Sequence, residues 1–315
     1  MAWRSVVITQ PARLRLDQRA LAVDGEAGTV RIALEDISVL VIDQPQMTLT
    51  GQLLSALAEA QIATITVGAD HHPNGVLLPH LPHSRALKVM RAQLAMSQPR
   101  RKRLWQHIVQ RKINNQADVL QRHGHDAPCR RLQALAHGVR SGDAGHAESQ
   151  AAQAYFRRLF GSDFTRVQNR LHNAALNYGY SVIRSALARH LVAYGFATAF
   201  GLHHRSELNA FNLADDLLEP FRPLLDAHVL QHFPLTAQER ELDRTDKAHI
   251  VGALHVDVRI VNTDAGQQRC TLLAASEAAV VSLSQRLDDD AQGLTLPALC
   301  DADFVVAHAE PDDEP

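Results

Sequence analysis

Aromatic residues make up only 5% of this 315-residue chain, and cysteine occurs three times. The shortage of aromatics leaves the cores to Leu, Ala, Val and Ile, a mixture that suits a largely helical protein. Cys129, Cys270 and Cys300 form no metal-binding spacing and cannot all pair with one another, which points to a reducing compartment. No stretch approaches the ~20 apolar residues that a membrane helix needs, and the opening MAWRSVVITQPARLRL holds no apolar run of signal-peptide length. The expectation is a soluble cytoplasmic protein with no membrane partner. Net charge is only −2, so overall basicity does not draw this chain to nucleic acid. At 46% hydrophobic content, one large domain or two ordinary ones can fold without staples.

The near-neutral total hides a strong polarity. Between Arg85 and Arg140 there are thirteen Lys or Arg against two acids, Asp118 and Asp126; from Glu277 to Glu314 there are ten acids against Arg286 alone. The densest basic stretch, SQPRRKRLWQHIVQRKINNQ, carries Arg100, Arg101, Lys102, Arg103, Arg111 and Lys112 around Trp105 and Ile108, with no acid at all. A solvated helix face would usually mix both signs, so these six are candidate phosphate contacts, the alternative being a merely soluble face. Arg130, Arg131, Arg157, Arg158 and Arg166 extend the same sign onto neighbouring helices.

Secondary-structure signals divide the chain. Residues 4–9, 13–16, 20–23, 29–34 and 37–42 are short, rich in Val and Ile and punctuated by Gly, Pro or Asp, so they are expected to be strands. A helix over 49–61 and a strand over 62–67 complete a small β-rich domain, residues 1–80, with the His71-His72-Pro73 turn as a loop at its sheet edge. Pro73, Gly75, Pro79 and Pro82 predict a linker over 73–84. Helices are expected at about 84–97, 100–121, 127–139, 147–160, 164–194 and 212–229, then a hairpin turning at Thr263–Gly266 and a helix over 273–287. The fold class is therefore α+β, a small N-terminal β-rich domain, a sandwich or folded sheet with one helix, followed by a larger domain over 84–290 that is all-α for most of its length. Residues 291–315 are expected to be an acidic, partly disordered tail.

One stretch concentrates chemistry: GLHHRSELNAFNLADDLLEPFRPLLD, residues 201–226. His203 and His204 sit on a turn opened by Gly201, and Asn212 is a candidate N-cap for a helix carrying Asp215, Asp216 and Glu219. Asp216 and Glu219 are three apart and share a face, where two carboxylates repel unless a hard divalent metal lies between them. Glu148, in the first turn of a helix over 147–160, is the candidate third ligand, with Ala152 and Tyr155 on its stripe. Nothing in the sequence arranges a serine or cysteine nucleophile.

Taken in order, LEDISVLVID, LTGQLLSALAEAQIATI, GVLLP, RKRLWQHIVQRKINNQADVL, LHNAALNYGYSVIRSALAR and GLHHRSELNAFNLADDLLEPFRPLLD resemble the CRISPR-associated adaptation integrases, in their type II form. The resemblance covers nearly the whole chain. It implies a β-sandwich N-terminal domain, a helical catalytic domain and a metal site made of a Glu, a His and an acid. Matched motif by motif, these are Glu148, His204 and Glu219, with Asp216 as the nearby alternative acid and His203 beside them. The implied reaction is cleavage of DNA and insertion of spacer DNA by attack of a 3′-hydroxyl on a phosphodiester, using Mg²⁺ or Mn²⁺. Tyr155 and the basic residues would orient the strand. Implied partners are double-stranded DNA (prespacer and CRISPR repeat), a second copy of the chain, a small adaptation subunit completing a heterohexamer, the type II effector nuclease and an accessory DNA clamp. The competing functions are a general metal-dependent nuclease on branched DNA and a non-catalytic DNA-binding scaffold.

Overall fold

The structure is a computed structural model that describes residues 4–68, 73–80, 85–161, 164–166, 170–262, 266–287 and 293–300. The strands are β1 (Arg4–Ile8), β2 (Arg13–Asp17), β3 (Ala20–Gly25), β4 (Gly28–Ala33), β5 (Ile37–Ile42) and β6 (Thr48–Leu49), followed by helix α1 (Gly51–Glu59), β7 (Ala63–Val67) and β8 (Pro73–Leu77). They form two four-stranded sheets, ordered β1-β5-β7-β8 and β4-β3-β2-β6. In the first, β1, β5 and β7 run parallel and β8 antiparallel; in the second, β2, β3 and β4 run antiparallel while the short β6 lies parallel to β2. Between the sheets lies a core of Leu14, Leu21, Leu40, Leu53, Leu57 and Ile62. This is the expected N-terminal sandwich.

One part of the expected linker is strand instead. Pro73 and Gly75 belong to β8, at the edge of its sheet, where a proline costs no ladder bond. A Cβ at Gly75 would stand 2.5 Å from Thr66 Oγ1 on β7, so a larger residue there would have to turn that hydroxyl aside. The residues that looked like punctuation are edge chemistry. His71 and His72 lie outside the described residues.

The second part begins with α2 (Ala86–Ala95), α3 (Gln98–Arg122), α4 (Asp126–His137), α5 (Ala147–Leu159) and α6 (Leu171–Ala193). After these come α7 (Asn212–Leu218), a single 3₁₀ turn over Glu219–Phe221, α8 (Arg222–His232) and α9 (Arg244–Gly252). Fifteen of the twenty-three residues of α6 are buried, so it is the central helix, and α7, α8, α9 and α10 (Leu272–Gln285) pack around it. Gly179 lets that packing close: a Cβ would meet Leu225 at 2.6 Å and Ile250 at 2.9 Å.

The expected hairpin forms from β9 (Asp257–Asn262) and β10 (Gly266–Thr271), with its turn outside the described residues. A further strand, β11 (Leu296–Leu299), pairs antiparallel with β9 and is buried along its length. Residues 294–300 therefore do not belong to a loose tail; the apolar run LTLPALC is core, and Pro297 is accommodated because β11 is an edge strand. The helical domain is thus not purely helical.

The two parts share a core. Val39 and Val41 of β5 and Ala63 and Ile65 of β7 belong to the same apolar cluster as the helices, and α6 packs on β7. Lys247 of α9 reaches Asp43 at 2.6 Å, an ion pair with both side chains buried. Ser5 Oγ on β1 lies 2.7 Å from His255 Nε2.

Candidate metal and DNA site

Three pieces of backbone bring the candidate residues together. The first is α3, whose residues Trp105, Lys112 and Gln116 recur at i, i+7 and i+11 on one buried face. The second is the start of α5. His146 precedes it in the left-handed region (φ 53°), and Asp143 accepts from the backbone N–H groups of Ala147 (2.8 Å) and Glu148 (3.1 Å). That carboxylate caps the helix and fixes Glu148 in its first turn. The third is the 3₁₀ turn between α7 and α8, where Glu219 is 5% exposed. Asn115 of α3 donates both amide hydrogens, to Pro220 O (2.7 Å) and Pro297 O (3.0 Å), tying the Glu219 turn to β11.

Glu148 and Glu219 converge on one point, and the ammonium of Lys112 occupies it. Lys112 Nζ donates to Glu148 Oε1 at 2.7 Å and to Glu219 Oε2. The two carboxylates are therefore no further apart than two hydrogen-bond lengths. Arg222 donates to the other oxygen of Glu219 at 2.9 Å. Burial pushes the Glu219 carboxyl up, but Lys112 and Arg222 outweigh it and hold the group at about 2. Lys112 itself is pulled down by burial and pushed above the usual lysine value by Glu219 and Glu148.

His204 is positioned by Asp216. The fully buried Asp216 carboxylate accepts from the backbone N–H of Leu202 (2.5 Å) and His203 (3.1 Å) through Oδ2, and from His204 N (3.1 Å) and Nδ1 (2.7 Å) through Oδ1. The hydrogen bond that the imidazole donates to Asp216 raises its pKa against the lowering effect of burial, and Glu219 adds to the rise. With Nδ1 committed, Nε2 is the nitrogen left for a ligand. Gly201 is indispensable to this turn, since a Cβ there would stand 2.5 Å from His204 O and 2.7 Å from Asp216 Oδ2. His203 stacks flat on Trp105, ring centroids 4.3 Å apart, while His204 meets the same indole edge-on at 5.7 Å.

Two cavities flank this cluster. One, of about 390 Å³, is lined by Glu148, His203, His146, Asp143 and Ala152. The other, of about 170 Å³, is lined by Lys112, Glu219, Arg222, Arg166, Tyr180 and Asp226. Burial raises the Asp226 carboxyl to about 6 despite the Tyr180 hydroxyl that donates to it. A wider opening of about 810 Å³ lies in the N-terminal domain, lined by residues such as Leu16, Leu34 and Ala56 and by none of the expected ligands.

The expected ligands Glu148, His204 and Glu219 thus lie around one cluster, but they are not gathered into a chelate. Among the described residues no three His, Cys, Asp or Glu groups stand close enough to hold an ion. Their chemistry fits a divalent cation all the same: two carboxylates already face one positive charge, and an imidazole with an available nitrogen stands beside them.

Several expectations change. Asp216 is engaged by the turn that carries His204, from which all four of its donors come. Asn212 does not cap α7; it is the first helical residue, and its amide ties the loop at Ala199, Ser206 and Asn209. Tyr155 is fully buried, edge-on to Phe156, and has no surface to offer a DNA strand. Of the six basic residues, Arg100 is held by Leu287 O, Arg101 by the carbonyls of Gln93, Leu94 and Met96, and Lys112 by the site acids. Arg111 is half-buried, leaving Lys102 and Arg103 exposed. Arg130 and Arg131 on α4 and Arg157 and Arg158 on α5 are also exposed, and α3, α4 and α5 pack against one another. Sequence reasoning gave Lys112 to the phosphate backbone, whereas it sits between the two acids, and it missed Asp143 and Asn115. The signal for Lys112 was available: it sits on the apolar stripe of Trp105, Ile108 and Val109, where a lysine needs an anionic partner.

Residues 5–250 match the family described as CRISPR associated protein Cas1. The chain is 43% identical over 300 residues to a CRISPR-associated endonuclease Cas1 of Neisseria meningitidis serogroup C (strain 8013), covering 95% of this chain and 97% of that one. Among solved structures it resembles a CAS1 protein from Thermotoga maritima (TM-score 0.71, 16% identity, 95% of this chain and 100% of that one). It also resembles a casposase bound to integration product (TM-score 0.71, 17% identity, 90% of each chain) and a Cas6-RT-Cas1–Cas2 complex (TM-score 0.70, 20% identity, 94% of this chain and 36% of that one). With the N-terminal sandwich, the helical second part and a match of this extent, the chain belongs to the Cas1 family of CRISPR-associated proteins.

Proposed function

We propose that this chain is a metal-dependent DNA endonuclease and integrase of CRISPR adaptation, of the type II kind, that joins spacer DNA to the repeat array through 3′-hydroxyl attack on a phosphodiester. The observation that carries the reading is the convergence of Glu148 and Glu219 on a single cation, next to an imidazole whose Nδ1 is held by Asp216. The full-length relative named as an endonuclease supports it. Bound Mg²⁺ or Mn²⁺ would supply Lewis acidity to the phosphodiester and stabilise charge on the attacking and leaving oxygens.

The chain's own residues do the rest. Glu148, Glu219 and His204 Nε2 would hold the ion, Asp216 sets the imidazole tautomer, and Asp143 and Asn115 keep the two acids in place. Exposed Lys102, Arg103, Arg130, Arg131, Arg157 and Arg158 on packed helices give a positive surface for the DNA backbone. Hydrolysis and joining differ only in which oxygen is presented, so one site serves both. The proposed partners are a second copy of the chain and a small Cas2-like subunit, in keeping with the Cas1–Cas2 assembly among its structural neighbours. The effector nuclease and an accessory DNA clamp complete the proposed type II setting.

The test is strand transfer of a short duplex with free 3′ ends into a supercoiled plasmid carrying leader and repeat, with the small subunit and Mn²⁺ or Mg²⁺. Wild type should give product, and His204→Ala should give none while still binding DNA. Product from His204→Ala at the wild-type rate would overturn the assignment; two proteins that bind DNA without either yielding product would favour a scaffold.

A further inference from the structure

Lys112 is 8% exposed in the middle of α3, and its ammonium is shared between Glu148 and Glu219. A buried lysine is costly, and this one is retained at the one point where two acids meet rather than at the surface. With Arg222 on the second oxygen of Glu219, the carboxylates are electrostatically satisfied without any ion. An ion coordinated by both would lie about 2.0–2.6 Å from their oxygens. That is the place Lys112 Nζ fills, and two cations cannot share it.

We infer that Lys112 is a stand-in cation. Its ammonium holds Glu148 and Glu219 converged while no metal is present, and it must leave before an ion enters. The inference rests on the proposed reading of these two acids as ligands. A lysine suits the task better than an arginine would, because its compact charge rides on a flexible four-carbon stem that can withdraw without disturbing the helix. Space for withdrawal exists: Lys112 lines the cavity of about 170 Å³ bounded by Gln116, Phe156 and Arg166. Lys112 is thus a positioning residue, one that sets how tightly an ion is held by competing for the same oxygens.

The experiment is Mn²⁺ binding to the DNA-free full chain, followed by electron paramagnetic resonance of the free ion, on wild type, Lys112→Met and Glu148→Gln. Melting temperatures are recorded in EDTA and in Mn²⁺. Removing the competing charge should tighten Mn²⁺ by about tenfold or more, the effect of one neighbouring charge on a carboxylate's occupancy. Lys112→Met should melt below wild type in EDTA, because two acids are left facing each other, and should gain more from Mn²⁺ than wild type does. Lys112→Gln, which keeps the length and donates hydrogen bonds without the charge, carries the same expectations if Lys112→Met does not fold. Should wild type bind Mn²⁺ and Glu148→Gln lose it, while the Lys112 variants bind no more tightly than wild type, the stand-in role is wrong and the ligand assignment survives. Should wild type and Glu148→Gln bind Mn²⁺ equally, both are wrong.

Discussion

Replacing Asp216 with Asn tests the site through the residue that holds the His204 imidazole. Each carboxylate oxygen takes two donors: Leu202 N and His203 N on Oδ2, His204 N and His204 Nδ1 on Oδ1. An amide has one oxygen. Whichever way it lies, its NH₂ group faces two donors in a position with no exposure to water. Losing two charge-assisted hydrogen bonds of about 1.5–3 kcal/mol each puts the destabilisation at about 4 kcal/mol. For a chain of this length the unfolding entropy converts that to a fall of roughly 6 °C in melting temperature. The chemical effect should exceed the thermal one. If the new NH₂ donates to His204 Nδ1, the imidazole proton moves to Nε2 and removes the lone pair a ligand needs. Orienting partners of this kind are worth about 10–100-fold in metal affinity or activity. Calorimetry gives the first quantity, and nitrogen chemical shifts of His204 report the tautomer. A melting temperature within about 2 °C of wild type, with the His204 tautomer unchanged, would refute the argument that Asp216 builds this turn.

Other perturbations follow from the same geometry. Asp226 has its carboxyl raised to about 6 by burial, against an ordinary value of 3.8. Its contribution to stability is therefore complete below pH 4 and is lost as pH rises through 6, about 3 kcal/mol in all. Asp226→Asn should melt above wild type at pH 8 and close to it at pH 4, and an equal difference at both would contradict the shift. Asn115→Ala removes two buried hydrogen bonds, for about 2–3 kcal/mol. Because one of them holds the Glu219 turn, DNA nicking at 25 °C should fall further than the urea midpoint suggests, and proportionate losses would argue against a positioning role. Lys247→Met removes the cation 2.6 Å from the buried Asp43 carboxylate and should cost about 3 kcal/mol in urea unfolding. Adding Asp43→Asn to that variant should restore much of the loss; no recovery would mean the pair is not what joins the two parts.

Much of this was legible in the sequence because local pattern and tertiary outcome agreed. Strands 4–8, 13–17, 20–25, 28–33 and 37–42 announced themselves through Val and Ile between turns, and α6 through apolar residues on more than one side. That Glu148, His204 and Glu219 lie around one cluster was expected from the motifs that resemble the family, and each sits beside a structural punctuation: a helix start, a Gly-led turn and a Glu-Pro step. What failed was whatever depended on a distant partner. Lys112 looked like one more surface charge because its neighbours in sequence are surface charges, while its partners are 36 and 107 residues away. β11 looked like tail because its pairing partner β9 lies behind a helix and an acidic stretch. Tyr155 was assigned to DNA from its stripe with Glu148, but a helical stripe spans several turns and only its first faces the site. Asp216 shares the sequence neighbourhood of a ligand, and it took the paired donors on each oxygen to show that its capacity is spent.

Translation adds an order to these contacts. Domains are generally completed from the N-terminus as the chain emerges. Glu148, His204 and Glu219 are all made before β11, and the carbonyl of Pro297 that shares Asn115 with the Glu219 turn follows Glu219 by nearly eighty residues. A nascent chain therefore carries its acids before it carries the strand that steadies one of them. Among the described residues, the strand that steadies the Glu219 turn is made after every residue of the candidate site.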